Sequence, residues 1–363
     1  MMKSKVLIIT GGTGGHVIPA LNFFNYLTNK SKNIFLLTDN RGYKYITNID
    51  KTNILKIKSS HLSGNIYFKL LGIIKLLIGF LKCIIIFIKL RPKIIISFGS
   101  YASLAPLICF IMFKFFFKTK LYIHEQNSVM GQTNKFFSKF ANKIFVNFNK
   151  DYSSIDKYKK KISIVGLPQN FNKKPLDKKV ATSDLSFNFL VYAGSQGSLD
   201  IIIIFSKIFK RIIEKSSFNK IKFIIQCPTS KQKDICNLLN KNNCDFEIAS
   251  FFQDFDKILC KSNLALCRGG AGTINDLIEF KIPAIICPLP NAKDNHQFEN
   301  AKILRDIECA MIIEKNNIDF EKINYFIKKV INDKNFNKSL LDNFNKIDIK
   351  NANEIMWTKI KNG

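Results

Sequence analysis

Residues 11–20 read GGTGGHVIPA and follow directly on the apolar run Val6-Leu7-Ile8-Ile9. Glycine permits positive φ and close backbone approach to a ligand, and the free N–H groups of a helix start favour an anion, usually phosphate. Pro19 suits the opening turn of a following helix, which leaves His16 at the lip of such a site. An imidazole, with an ordinary pKa of about 6.5, can take up a proton there near neutral pH. Three more glycine loops occur: Gly194-Ser195-Gln196-Gly197-Ser198, Gly269-Gly270-Ala271-Gly272-Thr273, and the weaker Ser97-Phe98-Gly99-Ser100-Tyr101-Ala102-Ser103. One such loop could be no more than a tight turn; several at equivalent strand ends point to bound phosphate. Two further polar clusters contain histidine, HEQN at 124–127 and DNHQ at 294–297. Burying such clusters is costly unless they serve a purpose.

These loops need elements to hold them. Short apolar runs alternate with helix-compatible segments, and candidate strands occupy 5–10, 33–37, 94–98, 121–124, 144–148 and 162–165. A second series occupies 189–193, 223–226, 246–249, 264–267, 284–287 and 310–313. Strands spaced by helices predict parallel sheets covered on both faces, and two series predict two doubly wound α/β domains. In that fold the ligand lies at the carboxyl ends of the strands, where the glycine loops stand. The lysine-rich stretch 171–184 is the linker candidate.

Composition narrows the function. The chain has 363 residues, 47% of them hydrophobic, enough for two cores. Nine scattered cysteines without a C-x-x-C pair read as small buried hydrophobes of a reducing compartment, and the N-terminus runs into a strand without a long apolar signal region. A cytoplasmic protein is expected. The net charge of +29 attracts polyanions, but no zinc-finger spacing or basic heptad array accompanies it, so no nucleic-acid partner is expected. Asp254-Phe255-Asp256 mimics a metal-binding D-x-D, yet Asp254 reads better as a helix N-cap, and no metal is required. A dehydrogenase G-x-G-x-x-G fails at Val17, although Asp39 would suit a ribose; a P-loop is excluded because no G-K-[ST] follows any loop. Residues 66–90 are densely apolar, yet Lys75, Lys82 and Lys89 recur every seven residues and share one flank of a helix. The pattern predicts a helix that docks on a membrane without spanning it.

In order and at suitable spacing, GGTGGHVIPA, SFGSYAS, HEQNSVMGQTNK, AGSQGS, CRGGAGTINDL and PNAKDNHQFENA resemble the MurG family, glycosyltransferase family 28. The resemblance covers about residues 5–310. It implies two facing Rossmann-like domains with the active site in the cleft between them, the GT-B arrangement. It further implies inverting transfer of N-acetylglucosamine from UDP-N-acetylglucosamine to the muramoyl 4-hydroxyl of undecaprenyl-diphosphate-linked muramoyl pentapeptide (lipid I), giving lipid II, with no cofactor. Residues 1–168 would form the acceptor and membrane-docking domain, 169–346 the donor domain, and a helix at about 347–363 would pack back on the first. His16 matches the candidate base. Gly11, Gly12, Gly15, Gly99, Ser100, Tyr101 and Glu125 match the acceptor side. The donor side comprises Thr13, Gly14, Asn127, Ser195, Gln196, Phe252 beside the uracil, Arg268 with Gly272 and Thr273 at the diphosphate, Asp276 on the ribose, and His296 and Gln297 on the sugar. Implied partners are UDP-N-acetylglucosamine, the polyprenyl-diphosphate-linked acceptor, an anionic membrane surface and cell-wall synthesis proteins; the implied location is peripheral, on the cytoplasmic face of the plasma membrane.

Two positions depart from the family pattern. Asp276 stands where glutamate is usual, and the motif G-N-P-[VI]-R is replaced by Gly166-Leu167-Pro168-Gln169-Asn170. The arginine expected near the donor phosphates is therefore absent at Asn170, with Lys173 or Lys174 as replacements that lack its bidentate fork. Other readings are a different UDP-sugar GT-B transferase, an NAD-dependent oxidoreductase, and a non-catalytic membrane adaptor.

Overall fold

The computed structural model describes residues 4–47, 50–59, 65–150, 152–170, 187–193, 199–213 and 221–363. The chain divides into two compact units, Met1–Lys173 with Lys350–Gly363, and Lys174–Ile349. The linker candidate 171–184, with Lys173 and Lys174, and the loop 194–198, with Ser195 and Gln196, lie outside the described residues.

The first unit runs β1 (Val6–Ile9), α1 (Gly14–Thr28), β2 (Ile34–Asp39), α2 (Asn40–Tyr43), β3 (Ile54–Ile57), α3 (Ile66–Leu90), β4 (Ile94–Ser97), α4 (Leu104–Phe117), β5 (Lys120–Glu125), α5 (Gln132–Phe137), β6 (Lys143–Val146) and β7 (Ile162–Ile164). Its seven strands are ordered β3-β2-β1-β4-β5-β6-β7, and every pair is parallel. All four residues of β1, Val-Leu-Ile-Ile, are buried, as a strand covered on both faces requires. Alternate residues feed two cores. Leu7 and Ile9 join Cys83, Phe87 and Phe110 of α3 and α4, whereas Val6 and Ile8 join Val17 and Phe23 of α1.

The second unit runs β8 (Phe187–Val191), α6 (Leu199–Ile208), β9 (Ile221–Gln226), α7 (Thr229–Lys241), β10 (Asp245–Ala249), α8 (Phe255–Lys261), β11 (Leu264–Cys267), α9 (Ala271–Glu279), β12 (Ala284–Ile286), α10 (His296–Arg305), β13 (Ala310–Ile312), α11 (Phe320–Asn332) and α12 (Lys334–Asn345). Its six strands are ordered β10-β9-β8-β11-β12-β13, again all parallel.

Twelve of the thirteen strands overlap the apolar runs; β3 does not. Its sequence Ile-Leu-Lys-Ile is short, lies at the sheet edge and exposes Lys56, so it needs no continuous apolar run. Asp254 stands at the N-cap of α8 as expected, although its carboxylate pairs with Lys257 at 2.8 Å in place of a capping bond.

The last helix, α13 (Ala352–Lys361), belongs to the first unit. Met356, Trp357 and Ile360 are buried in the same core as Phe23, Tyr122 and Phe145, and the Tyr122 hydroxyl donates to the Ile360 carbonyl at 3.3 Å. Trp357→Ala should therefore destabilise this unit by about 3–5 kcal/mol. Trp357 is the only tryptophan, so the fall in denaturation midpoint is to be read by far-ultraviolet circular dichroism.

Candidate active site

In the first sheet the strand order reverses between β1 and β4, and the loops after these strands carry Gly11–Gly15 and Gly99–Ser103. Gly12 has φ +79°, which a side chain would strain. Its N–H donates to Asp39 Oδ1 at 3.0 Å, and the same oxygen accepts from Gly42 N at 2.8 Å. Asp39 Oδ2 accepts from Ser59 Oγ at 2.6 Å and Arg41 Nε at 3.2 Å. Burial alone would raise this carboxyl's pKa, but the bonds from Gly12, Ser59 and Gly42, with the charge of Arg41, hold it below its usual value. Asp39 is thus an anchor for the glycine loop.

Gly11, Gly12, Gly14 and Gly99 are buried and shape the loops, whereas Thr13, Gly15 and Tyr101 are exposed and Ser100 is half-buried. Thr13 stands at the N-cap of α1 without a capping bond from its side chain. His16, in the first turn of that helix, is half-buried. Its Nδ1 lies 2.9 Å from the Phe98 carbonyl and 2.8 Å from Gln126 Oε1.

The Glu125 side chain is fully buried. Oε1 accepts from Asn127 N at 3.0 Å and Asn127 Nδ2 at 3.2 Å, while Oε2 accepts from Gly131 N at 2.9 Å and Asn134 Nδ2 at 2.8 Å. It ties the 125–134 loop together and leaves Asn127 half-buried at its rim.

In the second sheet the order reverses between β8 and β11, and the loop after β11 leads into α9. A Cβ on Gly269 would stand 2.1 Å from the Gln297 carbonyl, so only glycine lets this loop pass α10. A Cβ on Gly272 would meet nothing within 4 Å, which leaves open space at the α9 N-terminus; Thr273 beside it is buried. The Arg268 side chain is 5% exposed, and its guanidinium donates to Asp200 at 2.9 Å and to the carbonyls of Cys287 at 3.0 Å and Pro288 at 3.3 Å. A guanidinium so placed braces the strand-end loops. Lys315 also pairs with Asp200, at 2.7 Å, and holds its carboxyl below the usual range.

The remaining donor-side candidates are split. Asp276, on α9, is half-buried. Phe252 is buried near Phe255, whereas its neighbour Phe251 is 72% exposed. His296 donates from Nδ1 to the Lys293 carbonyl at 2.6 Å, and Gln297 Oε1 accepts from Leu289 N at 2.9 Å, so Gln297 holds the loop after β12. Among the described residues no group of three or more His, Cys, Asp or Glu side chains is placed to hold a metal ion. Spacing suits Asp39 to a ribose rather than to the loop anchor it forms, and it assigns no role to Phe98, which acts through its carbonyl, or to Gln126, which stands inside HEQN without a titratable group.

Two parallel doubly wound units in one chain, each reversing its strand order once, have the architecture of the GT-B fold class. Residues 6–146 match the glycosyltransferase family 28 N-terminal domain and residues 188–354 its C-terminal domain. The UDP-N-acetylglucosamine–N-acetylmuramyl-(pentapeptide) pyrophosphoryl-undecaprenol N-acetylglucosamine transferase of Rickettsia massiliae is 31% identical, over 88% of this chain and 89% of its own. The enzyme of the same name from Rickettsia bellii is 30% identical over 96% of both. In fold, the crystal structure of Acinetobacter baumannii MurG superposes with a TM-score of 0.76 at 22% identity, over 99% of this chain and 100% of that one. The chain belongs to glycosyltransferase family 28.

Asp39→Ala should leave the buried Gly12 and Gly42 amides unpaired and cost about 2–4 kcal/mol. The Asp39 pKa is lowered on folding, so its contribution is complete above the unfolded value of about 4 and disappears as pH falls through the folded one. Denaturant midpoints of parent and variant should therefore converge in acid and stay apart at neutral pH.

Proposed function

We propose that this enzyme transfers N-acetylglucosamine from UDP-N-acetylglucosamine to the muramoyl 4-hydroxyl of lipid I, forming lipid II. The observation that carries the reading is similarity to relatives named for that reaction along both units, 88–96% of the chain. The chemistry is a direct displacement. His16 takes the proton of the 4-hydroxyl, the oxygen bonds to the anomeric carbon, and the bond from that carbon to the UDP oxygen breaks with inversion. The N–H groups at the start of α9 receive the charge that develops on the leaving diphosphate, as helix N-termini can without a metal. Arg268 acts indirectly by fixing the loop that precedes that helix. Gly15, Ser100 and Tyr101 are assigned to the acceptor, with Gly11, Gly12 and Gly99 as its scaffold. Thr13, Gly14, Asn127, Ser195, Gln196, Phe252, Gly272, Thr273, Asp276, His296 and Gln297 are assigned to the donor.

Docking on an anionic membrane belongs to the same reading, with residues 1–168 as the acceptor and docking domain, 169–346 as the donor domain, and the enzyme peripheral on the cytoplasmic face. Among the described residues no helix is long and apolar enough to cross a membrane. Ile74, Ile78, Leu81, Ile85 and Ile88 form an exposed apolar stripe along α3, flanked by exposed Lys75, Lys82 and Lys89. Phe115 and Phe116, at the end of α4, are 79% and 82% exposed. Apolar area with a lysine border suits a surface of anionic lipid.

His16→Ala should lower turnover by roughly 10²–10⁴, the scale of a lost general base, with donor affinity little changed. Radiolabelled UDP-N-acetylglucosamine and a lipid I analogue provide the assay; turnover within a few-fold of the parent would reduce His16 to a loop residue.

The purified protein should sediment with anionic vesicles, leave them in high salt and ignore neutral ones. Replacing Lys75, Lys82 and Lys89 together with glutamine should weaken binding roughly 100-fold, at about 1 kcal/mol per lysine.

A further inference from the structure

His16 touches two oxygens through one nitrogen, and neither can donate in this arrangement. The Phe98 carbonyl is always an acceptor. Gln126 is held in one orientation, because its Nε2 faces three acceptors: the Phe98 carbonyl at 3.1 Å, the His124 carbonyl at 3.1 Å and His124 Nδ1 at 3.2 Å. Turning the amide over would set its oxygen against both carbonyls and leave the N–H groups facing His16. His124 is fixed in turn. Its Nε2 lies 2.9 Å from the Gly166 carbonyl and must donate to it, which leaves Nδ1 with a lone pair for Gln126. Burial lowers the His124 pKa to about 4, against the opposing bond to Gly166, so the ring stays neutral where the enzyme works.

We propose that Gln126 and His124 are positioning residues that hold His16 as its Nδ1–H tautomer, with the Nε2 lone pair free to take the acceptor's proton. The relay rests on the reading of His16 as the base, and it deepens that reading by naming the atom and what selects it. It starts at Gly166, passes through the His124 ring and the Gln126 amide, and ends at His16 Nδ1. His124 Nε2–H and His16 Nδ1–H each donate the ring's one hydrogen, and between them the Gln126 amide gives from Nε2 and accepts at Oε1. Without it, an imidazole divides between two tautomers, and in one of them the nitrogen facing the substrate already carries a proton. The Phe98 carbonyl, whose residue also stacks its ring on His124 at 5.1 Å, retains part of the selection by itself.

The test uses the full-length protein labelled with ¹⁵N in its four histidines. Long-range proton–nitrogen spectra distinguish the two tautomers of each ring, and His16→Ala identifies the His16 signals. The parent should show His16 as Nδ1–H, and Gln126→Met should move a large fraction to Nε2–H. That substitution should lower kcat about 10- to 100-fold with KM for UDP-N-acetylglucosamine changed less than about twofold, since a wrong tautomer can cost as much as about 10⁴ and Phe98 remains. His16 observed as Nε2–H in the parent overturns the proposal without recourse to any variant. An unchanged His16 tautomer in Gln126→Met, with His16→Ala inactive, overturns the relay and leaves His16 as the base. Near-parent turnover in His16→Ala overturns both.

Discussion

In a doubly wound sheet, the connection that follows one central strand must leave on one face and the connection that follows its neighbour on the other. Here α1 leaves β1 for the core of Val6, Ile8 and Phe23, and α4 leaves β4 for the core of Leu7, Ile9 and Phe110. The loops between strand and helix are driven apart and leave a groove at the carboxyl ends of the strands. His16 gains its setting from that divergence: it rides on α1 while its Nδ1 partner Phe98 follows β4. The second unit repeats the reversal at β8 and β11 and opens the α9 N-terminus there.

The constraint explains why so much was legible in the residues. Strands buried on both faces must be continuous apolar runs, and loops at the reversal must be rich in glycine, so both leave marks in composition. β3 escaped because an edge strand has one solvated side, and Lys56 could occupy it. The two buried charges, Glu125 and Arg268, show a different limit. Their residue types announce chemistry, but whether a carboxylate meets a substrate depends on whether the chain fills its lone pairs. Gly131 and Asn134 do so only once the loop after β5 has closed, and no spacing rule encodes that closure. For Arg268 the deciding partners are main-chain carbonyls of Cys287 and Pro288, which have no letter in a sequence.

The segment 166–170, where the family motif is lost, is occupied structurally. Gly166 accepts from His124, Pro168 accepts from Asn22 at 3.0 Å, and Gln169 accepts from Asn353 at 2.8 Å. It therefore ties α1, β5 and α13 to the end of β7 through backbone carbonyls, which any residue supplies. Such bonds survive side-chain drift at Gln169 and Asn170, so the fold tolerates a departure that removes an arginine from the proposed donor side. The same tolerance accounts for a composition heavy in lysine: the exposed lysines of α3 leave its buried face, through Cys83 and Phe87, untouched.

The choice of partners around His16 follows from the charge the loop is proposed to hold. An imidazole base is commonly oriented by a carboxylate, which also favours its charged form. Beside a diphosphate, a second anion would repel the ligand in a site of low dielectric. HEQN contains both an acid and an amide, one residue apart on opposite sides of the strand end, and the fold uses the amide. Gln126 presents a neutral oxygen to His16 Nδ1, while Glu125 turns inward and spends its charge on four N–H groups. The acid thus braces the loop, and the amide faces the proposed base without adding negative charge where a diphosphate is proposed to bind.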